Sequence, residues 1–134
     1  MVHTTSTINA SLEKVWECYT SPEHITKWAF ASDDWEAPHA ENDLRVGGKF
    51  STKMAAKDKS EQFDFSGVYS QVKEHELIAY TMDDGRKVIV KLSSQGDATK
   101  VDVDFDPEQE NSEELQRTGW QAILDNFKKH TESC

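Results

Sequence analysis

Between residues 49 and 106 the sequence reads as one strand after another, and a single long amphipathic helix is all that follows to cover them. Lys49 to Ala56 carries Phe50 and Met54 on one side. Glu61 to Lys73 sets Phe63, Phe65, Gly67 and Tyr69 against Val68 and Val72. Leu77 to Met82 is a further strand, and Arg86 to Ser94 aligns Val88, Val90 and Leu92. Thr99 to Asp106 alternates Val101, Val103 and Phe105 with Lys100, Asp102, Asp104 and Asp106. Polar turns separate these runs: Lys57-Asp58-Lys59-Ser60, the hairpin signature Asp84-Gly85, and Gln95-Gly96-Asp97. Such a sheet has one apolar face and one solvated face. A helix about 10 Å wide does not fill the concavity of six or seven twisted strands. Either a cavity remains beside the helix or large aromatics plug the gap.

Two segments bear on where the sheet bends and where the helix lies. Asp43 to Phe50 reads Asp-Leu-Arg-Val-Gly-Gly-Lys-Phe, and its adjacent Gly47 and Gly48 permit positive φ or close backbone approach, as in a glycine-kinked strand. Pro107 ends the sheet. Asn111 or Ser112 caps the last helix, with Glu113 and Glu114 complementing its positive end. Leu115, Gly119, Trp120, Ile123, Leu124 and Phe127 then form one apolar stripe. A glycine in mid-helix costs about 1 kcal/mol against alanine, so Gly119 needs a packing reason. The expectation is a close approach to the sheet or a gap beside it, with Gly119→Leu clashing or blocking the pocket.

Ahead of the strands, His3 to Asn9 reads as a strand at a sheet edge. Ser11 caps a helix through Tyr19 that presents Leu12, Val15, Trp16 and Tyr19 on one face. Ser21-Pro22 restarts a short helix with Ile25 and Trp28 inward. Trp35 through Glu41 reads as a short strand interrupted by Pro38. The order is strand, two helices, six antiparallel strands, long helix: an α+β chain whose 134 residues form one domain, 1–134.

Charge and composition exclude several functions. A net charge of −10 leaves no basic face for nucleic acid and disfavours an anionic membrane surface. No apolar run approaches the roughly 20 residues that span a bilayer, and Met1 to Ile8 lacks the regions of a signal peptide. Cys18, read as a small buried side chain, and Cys134 make a poor disulfide framework, so a reducing cytoplasm is expected. His3, His24, His39, His75 and His130 contain no closely spaced pair. A metal would need ligands from remote segments, and none is assigned. Asp102, Asp104 and Asp106 fit a solvated sheet face better than a calcium loop. No phosphate loop, nucleophile elbow or Cys with a neighbouring His occurs. Hence no catalytic residue and no cofactor is assigned.

With these elements in place, Lys14-Val15-Trp16, Ser21-Pro22-Glu23 and Trp28 resemble the START-like, SRPBCC helix-grip superfamily. The Asp43–Phe50 octet, Gly67-Val68-Tyr69, and Gly119-Trp120 ahead of Leu124 resemble more closely one branch of it. That branch is named for the C-terminal domain of the activator of the heat-shock ninety chaperone ATPase. The resemblance spans essentially the whole chain. It implies a curved antiparallel sheet of six to seven strands gripping a long C-terminal helix, in the order β-α-α-β6-α, with a cavity between them. Superfamily members include lipid carriers, hormone and flavonoid binders and polyketide cyclases.

Alternation and helical spacing nominate the cavity lining. Phe50, Met54, Phe63, Phe65, Tyr69, Tyr80, Val90 and Val103 come from the sheet, and Trp120, Ile123 and Phe127 from the last helix. Trp28 and Trp35 belong to the entrance, where Arg45 would meet a carboxylate. Tyr69, Tyr80 and Trp120 each add a hydrogen-bond donor. The first expectation is therefore binding of a hydrophobic or aromatic small molecule, lipid-like or polyketide-like. A chaperone-interacting module is the second, and a cyclase-type enzyme using Asp64 or His39 the third.

Overall fold

The computed structural model describes residues 1–134. Seven strands, β1 (Val2–Ile8), β2 (Trp35–Asn42), β3 (Lys49–Ala56), β4 (Gln62–Lys73), β5 (Leu77–Met82), β6 (Lys87–Gln95) and β7 (Ala98–Phe105), form one antiparallel sheet in the order β1-β7-β6-β5-β4-β3-β2. Helices α1 (Leu12–Thr20) and α2 (Pro22–Ile25) lie between β1 and β2, and α3 (Glu113–Ser133) closes the chain. This curled sheet with a C-terminal helix is a helix-grip fold of the α+β class.

Local chemistry sets the element ends. The Ser11 hydroxyl accepts the Lys14 amide at the start of α1, and the Ser112 hydroxyl accepts the Leu115 amide at the start of α3. Pro22 opens α2 at its first turn. β2 tolerates Pro38 because it is the outer strand and breaks register between Glu36 and His39.

The glycine pair corrects an expectation. Gly47 and Gly48 form the loop between β2 and β3 rather than a kink within a strand. Gly47 takes φ +82°, and a Cβ on Gly48 would stand 2.1 Å from the Asp43 carbonyl oxygen. The loop is tied to β4 by Gly47 N–H donating to Tyr69 O (2.8 Å) and Tyr69 N–H donating to Gly48 O (3.0 Å). Immediately after Tyr69 a bulge shifts the β4–β5 register. That extra residue reverses the alternation, so Val72 packs on the core instead of the solvated face.

The core is continuous from Val2 and Ile8 through Val88, Val90, Val101 and Phe105 to Val15, Trp16, Leu124 and Phe127. α3 docks along the edge strand β1 and against α1. Its polar side chains satisfy that edge: Gln121 Nε2 donates to Thr5 O, Lys128 Nζ to Thr7 O, and Glu132 accepts from the Asn9 amide (3.0, 2.6 and 2.7 Å). Leu115, assigned to the apolar stripe, is instead 60% exposed.

Candidate functional site

Because α3 is committed to the β1 edge, it covers the centre of the sheet only in part. A cavity of about 500 Å³ opens there between α3, α1 and the concave face. Its size falls in the ordinary range for small-molecule pockets. Trp28 reaches it from beyond α2, held by its indole N–H donating to Cys18 O at 2.9 Å. Met54, Phe65, Tyr80 and Val103 face it from the sheet, and Trp120, Ile123 and Leu124 from α3. Trp120 is stacked on Phe105 with ring centroids 4.0 Å apart and planes 11° from parallel, which fixes one wall.

Tyr19 and Tyr80 line the cavity and make no hydrogen bond within the protein. Thr131 Oγ1 is the only sealed side-chain polar atom without a partner, so neither phenol hydroxyl is sealed; both residues also border a second, smaller hollow. Burial raises both phenols above their ordinary pKa, so both stand as neutral O–H groups able to donate or accept. Thr52 adds a buried hydroxyl.

The mouth is acidic. Asp64, Asp83, Asp84 and Glu108 line it against one guanidinium, Arg86. Arg86 is bound to Asp84 at 2.8 Å through Nε, and its side chain is only 22% exposed. The Arg86 backbone amide and then its guanidinium hold the Asp84 carboxyl below the usual carboxylate range. One side of the mouth is latched: Gln116 Oε1 accepts the Glu108 amide (2.8 Å), and its Nε2 donates to Asn111 O (2.8 Å).

Of the residues nominated from sequence, Trp28, Met54, Phe63, Phe65, Tyr80, Val103, Trp120 and Ile123 come together around the cavity. Phe63 stands at the rim, half exposed. The other six lie elsewhere. Val90 and Phe127 are wholly buried core; Phe127 is wedged against Tyr19 and Trp28 with centroids 5.1 and 4.9 Å away. Phe50 and Tyr69 belong to an aromatic plug with Phe65 and Tyr80, beside a separate hollow of about 70 Å³. The Tyr69 hydroxyl is spent on Asn42 Oδ1 at 2.5 Å. Trp35 packs on Phe63 from the outer strand, its ring centroid 5.8 Å away. Arg45 lies in the exposed β2–β3 loop paired with Asp43 at 2.9 Å. The cavity and the aromatic plug, posed as alternatives, thus both exist and divide the concave face.

The cationic residue that does reach the cavity is Arg86, and its parity is readable: 86 shares the inward phase of Val88, Val90 and Leu92. His39 pairs with Glu41 on the exposed β2 edge and does not line the main cavity. Two of the five histidines do meet, together with both cysteines, at the far end of α3, where Cys18, His24, His130 and Cys134 converge.

Residues 9–132 match the family model described as Activator of Hsp90 ATPase homolog 1-like protein, and the chain belongs to that family. Its fold is of the START-like SRPBCC type, which commonly binds hydrophobic ligands. A solution structure of an AHSA1-like protein from Aeromonas hydrophila is 39% identical with a TM-score of 0.90, over 98% of this chain and 92% of that one. A solution structure of a protein from Cytophaga hutchinsonii is 52% identical with a TM-score of 0.85, over the same shares. A crystal structure of a Chromobacterium violaceum protein, 21% identical with a TM-score of 0.87 over 98% and 96% of the two chains, shares the fold. Among curated proteins no significant match is found. No helix is long and apolar enough to cross a membrane.

Proposed function

We propose that this protein binds a neutral hydrophobic or aromatic small molecule, lipid-like or of polyketide or flavonoid type, in the cavity between α3 and the sheet. The observation that carries the reading is the open space of about 500 Å³ walled by aromatic and aliphatic side chains, with the Tyr19 and Tyr80 hydroxyls unpaired beside it. Apolar burial supplies affinity, and the phenols, with Thr52, orient a carbonyl or hydroxyl of the ligand. The mouth favours a neutral molecule: four carboxylates against one already paired guanidinium repel a free fatty-acid anion.

The test is an amide NMR titration with a neutral flavonoid and with a fatty-acid salt. The flavonoid is expected to give saturable shifts at Thr52, Tyr80, Trp120 and Ile123, and the anion weaker ones. Tyr80→Phe should weaken binding about tenfold, the worth of one hydrogen bond, and Ile123→Trp, which fills the space, should abolish it. A folded protein that shows no shift with either compound refutes the reading. If it then answers to an added Hsp90 chaperone, the chaperone-interacting module that the family description suggests takes its place.

A further inference from the structure

At the end of α3 opposite the cavity's latch, four soft donor groups meet from three elements. Cys18 is on α1, His24 on α2, and His130 and Cys134 stand one helical turn apart at the end of α3. Their donor atoms all lie within 4.8 Å of one another. His24 Nδ1 is 2.9 Å from His130 Nε2, and Cys134 Sγ is 3.5 Å from the same nitrogen. Around a tetrahedral zinc with ordinary Zn–N and Zn–S bonds, ligand atoms stand roughly 3.3–3.8 Å apart. The His130–Cys134 separation already has that value, the two imidazoles must open by a few tenths of an ångström, and the widest pair must close by about one. Rotation of the exposed Cys134 and the half-buried His24 supplies those movements.

We propose that Cys18, His24, His130 and Cys134 form a tetrahedral two-cysteine, two-histidine zinc site that clamps the end of α3 to α1 and α2. Two thiolates with two imidazoles are the donor set that zinc prefers in closed structural sites. The surroundings suit it. Lys14 Nζ sits on Cys134 O at 2.5 Å, bringing positive charge to the thiolate side. Thr131 is fully buried, and its hydroxyl, next to the Cys18 thiol, has no hydrogen-bond partner. A Cys18 thiolate gives that hydroxyl its missing acceptor, as outer groups do around ligating side chains. His130 and Cys134, four residues apart on one helix face, are the spacing by which a helix supplies two ligands to one ion.

The experiment titrates the reduced full-length protein with Co²⁺ and then displaces the cobalt with Zn²⁺. The expected result is one equivalent of cobalt with thiolate-to-metal charge-transfer absorption and the visible bands of tetrahedral geometry, followed by bleaching as zinc replaces it. Zinc should raise Tm. Cys134→Ser, at an exposed position, and His24→Gln should each weaken zinc binding at least tenfold and cancel the rise in Tm. Cobalt uptake without the charge-transfer band would overturn the proposal, as would zinc affinity unchanged in both variants. So would a reduced protein that takes up no metal and whose Cys18 and Cys134 merely form a disulfide on oxidation.

Discussion

Gly119→Ala should stabilise this protein. The residue lies seven positions into a 21-residue helix, where glycine costs about 0.5–1 kcal/mol against alanine through backbone entropy. Such a cost is tolerated when a side chain would clash, but a Cβ built at Gly119 meets no atom within 4 Å. The expectation of a tight helix–sheet approach there fails because α3 leans on β1, leaving open space next to this turn. Alanine should therefore recover most of the propensity term. For a domain of this length that corresponds to a Tm increase of roughly 2–4 °C. Urea denaturation should show a higher midpoint at unchanged slope, since the surface exposed on unfolding barely changes. The control is Gly67→Ala. There a Cβ would stand 2.6 Å from the Thr81 carbonyl oxygen and 2.9 Å from the Phe50 ring, and the backbone oxygen cannot swing aside. A loss of about 1–3 kcal/mol is expected. If Gly119→Ala lowered Tm, the helix would be packed against something at that turn, and the placement of α3 that leaves the cavity open would be wrong.

Tyr69→Phe should cost about 1–2 kcal/mol in chemical denaturation, because it strands Asn42 Oδ1 in a part-buried position. Tyr80→Phe removes a hydroxyl with no protein partner and should leave stability within about 0.5 kcal/mol, so a large loss would reveal a hidden partner. Burial raises the phenols of Tyr19, Tyr69 and Tyr80, so the fold favours their neutral forms. Stability from this source is complete below about pH 10, the unfolded value, and is lost as pH rises through the folded values, at about 1.4 kcal/mol per pH unit for each phenol. Phenolate absorbance and far-UV circular dichroism should then change together above pH 10, and phenolate appearing well before unfolding would contradict the burial. Gln116→Leu cuts the latch to Glu108 and Asn111; faster hydrogen exchange at the Glu108 amide, with the β6–β7 amides still protected, is the expected signature.

Strand positions were legible wherever alternation ran undisturbed: β3 and β5 end where the pattern ends, and Val88, Val90, Leu92, Val101, Val103 and Phe105 all point inward. Legibility failed at features that are not periodic. The bulge after Tyr69 inverted Val72, and no local residue type announces it. Val90 and Phe127 have the right facing but lie too deep, since phase gives the side of an element and not its distance from a hollow. Arg45 is near the glycines in sequence but lies in an exposed loop, whereas Arg86, with the inward phase of its strand, borders the cavity. The meeting of Cys18 and His24 with His130 and Cys134 depends on where α3 docks, which is a property of the assembled chain. Only the four-residue step from His130 to Cys134 is local in the sequence.

Edge protection and the cavity are two results of one placement. β1 would present unpaired backbone groups, and Gln121, Lys128 and Glu132 reach them only if the axis of α3 runs beside that strand. A single helix so placed cannot also cover the centre of a seven-stranded sheet. Aromatic packing of Phe50, Phe65, Tyr69 and Tyr80 closes the part of the face toward β2, and what remains is the cavity. The hydroxyls of Tyr19 and Tyr80 and the guanidinium of Arg86 are not needed for that construction, since Tyr19 and Tyr80 bond to nothing and Arg86 pairs only with its neighbour Asp84 in the same hairpin. Those three polar groups, unlike the rings of Tyr19 and Tyr80 that pack in the core, can therefore differ between proteins of this fold without disturbing the grip, and on the proposed reading ligand choice is best sought in them rather than in the apolar walls.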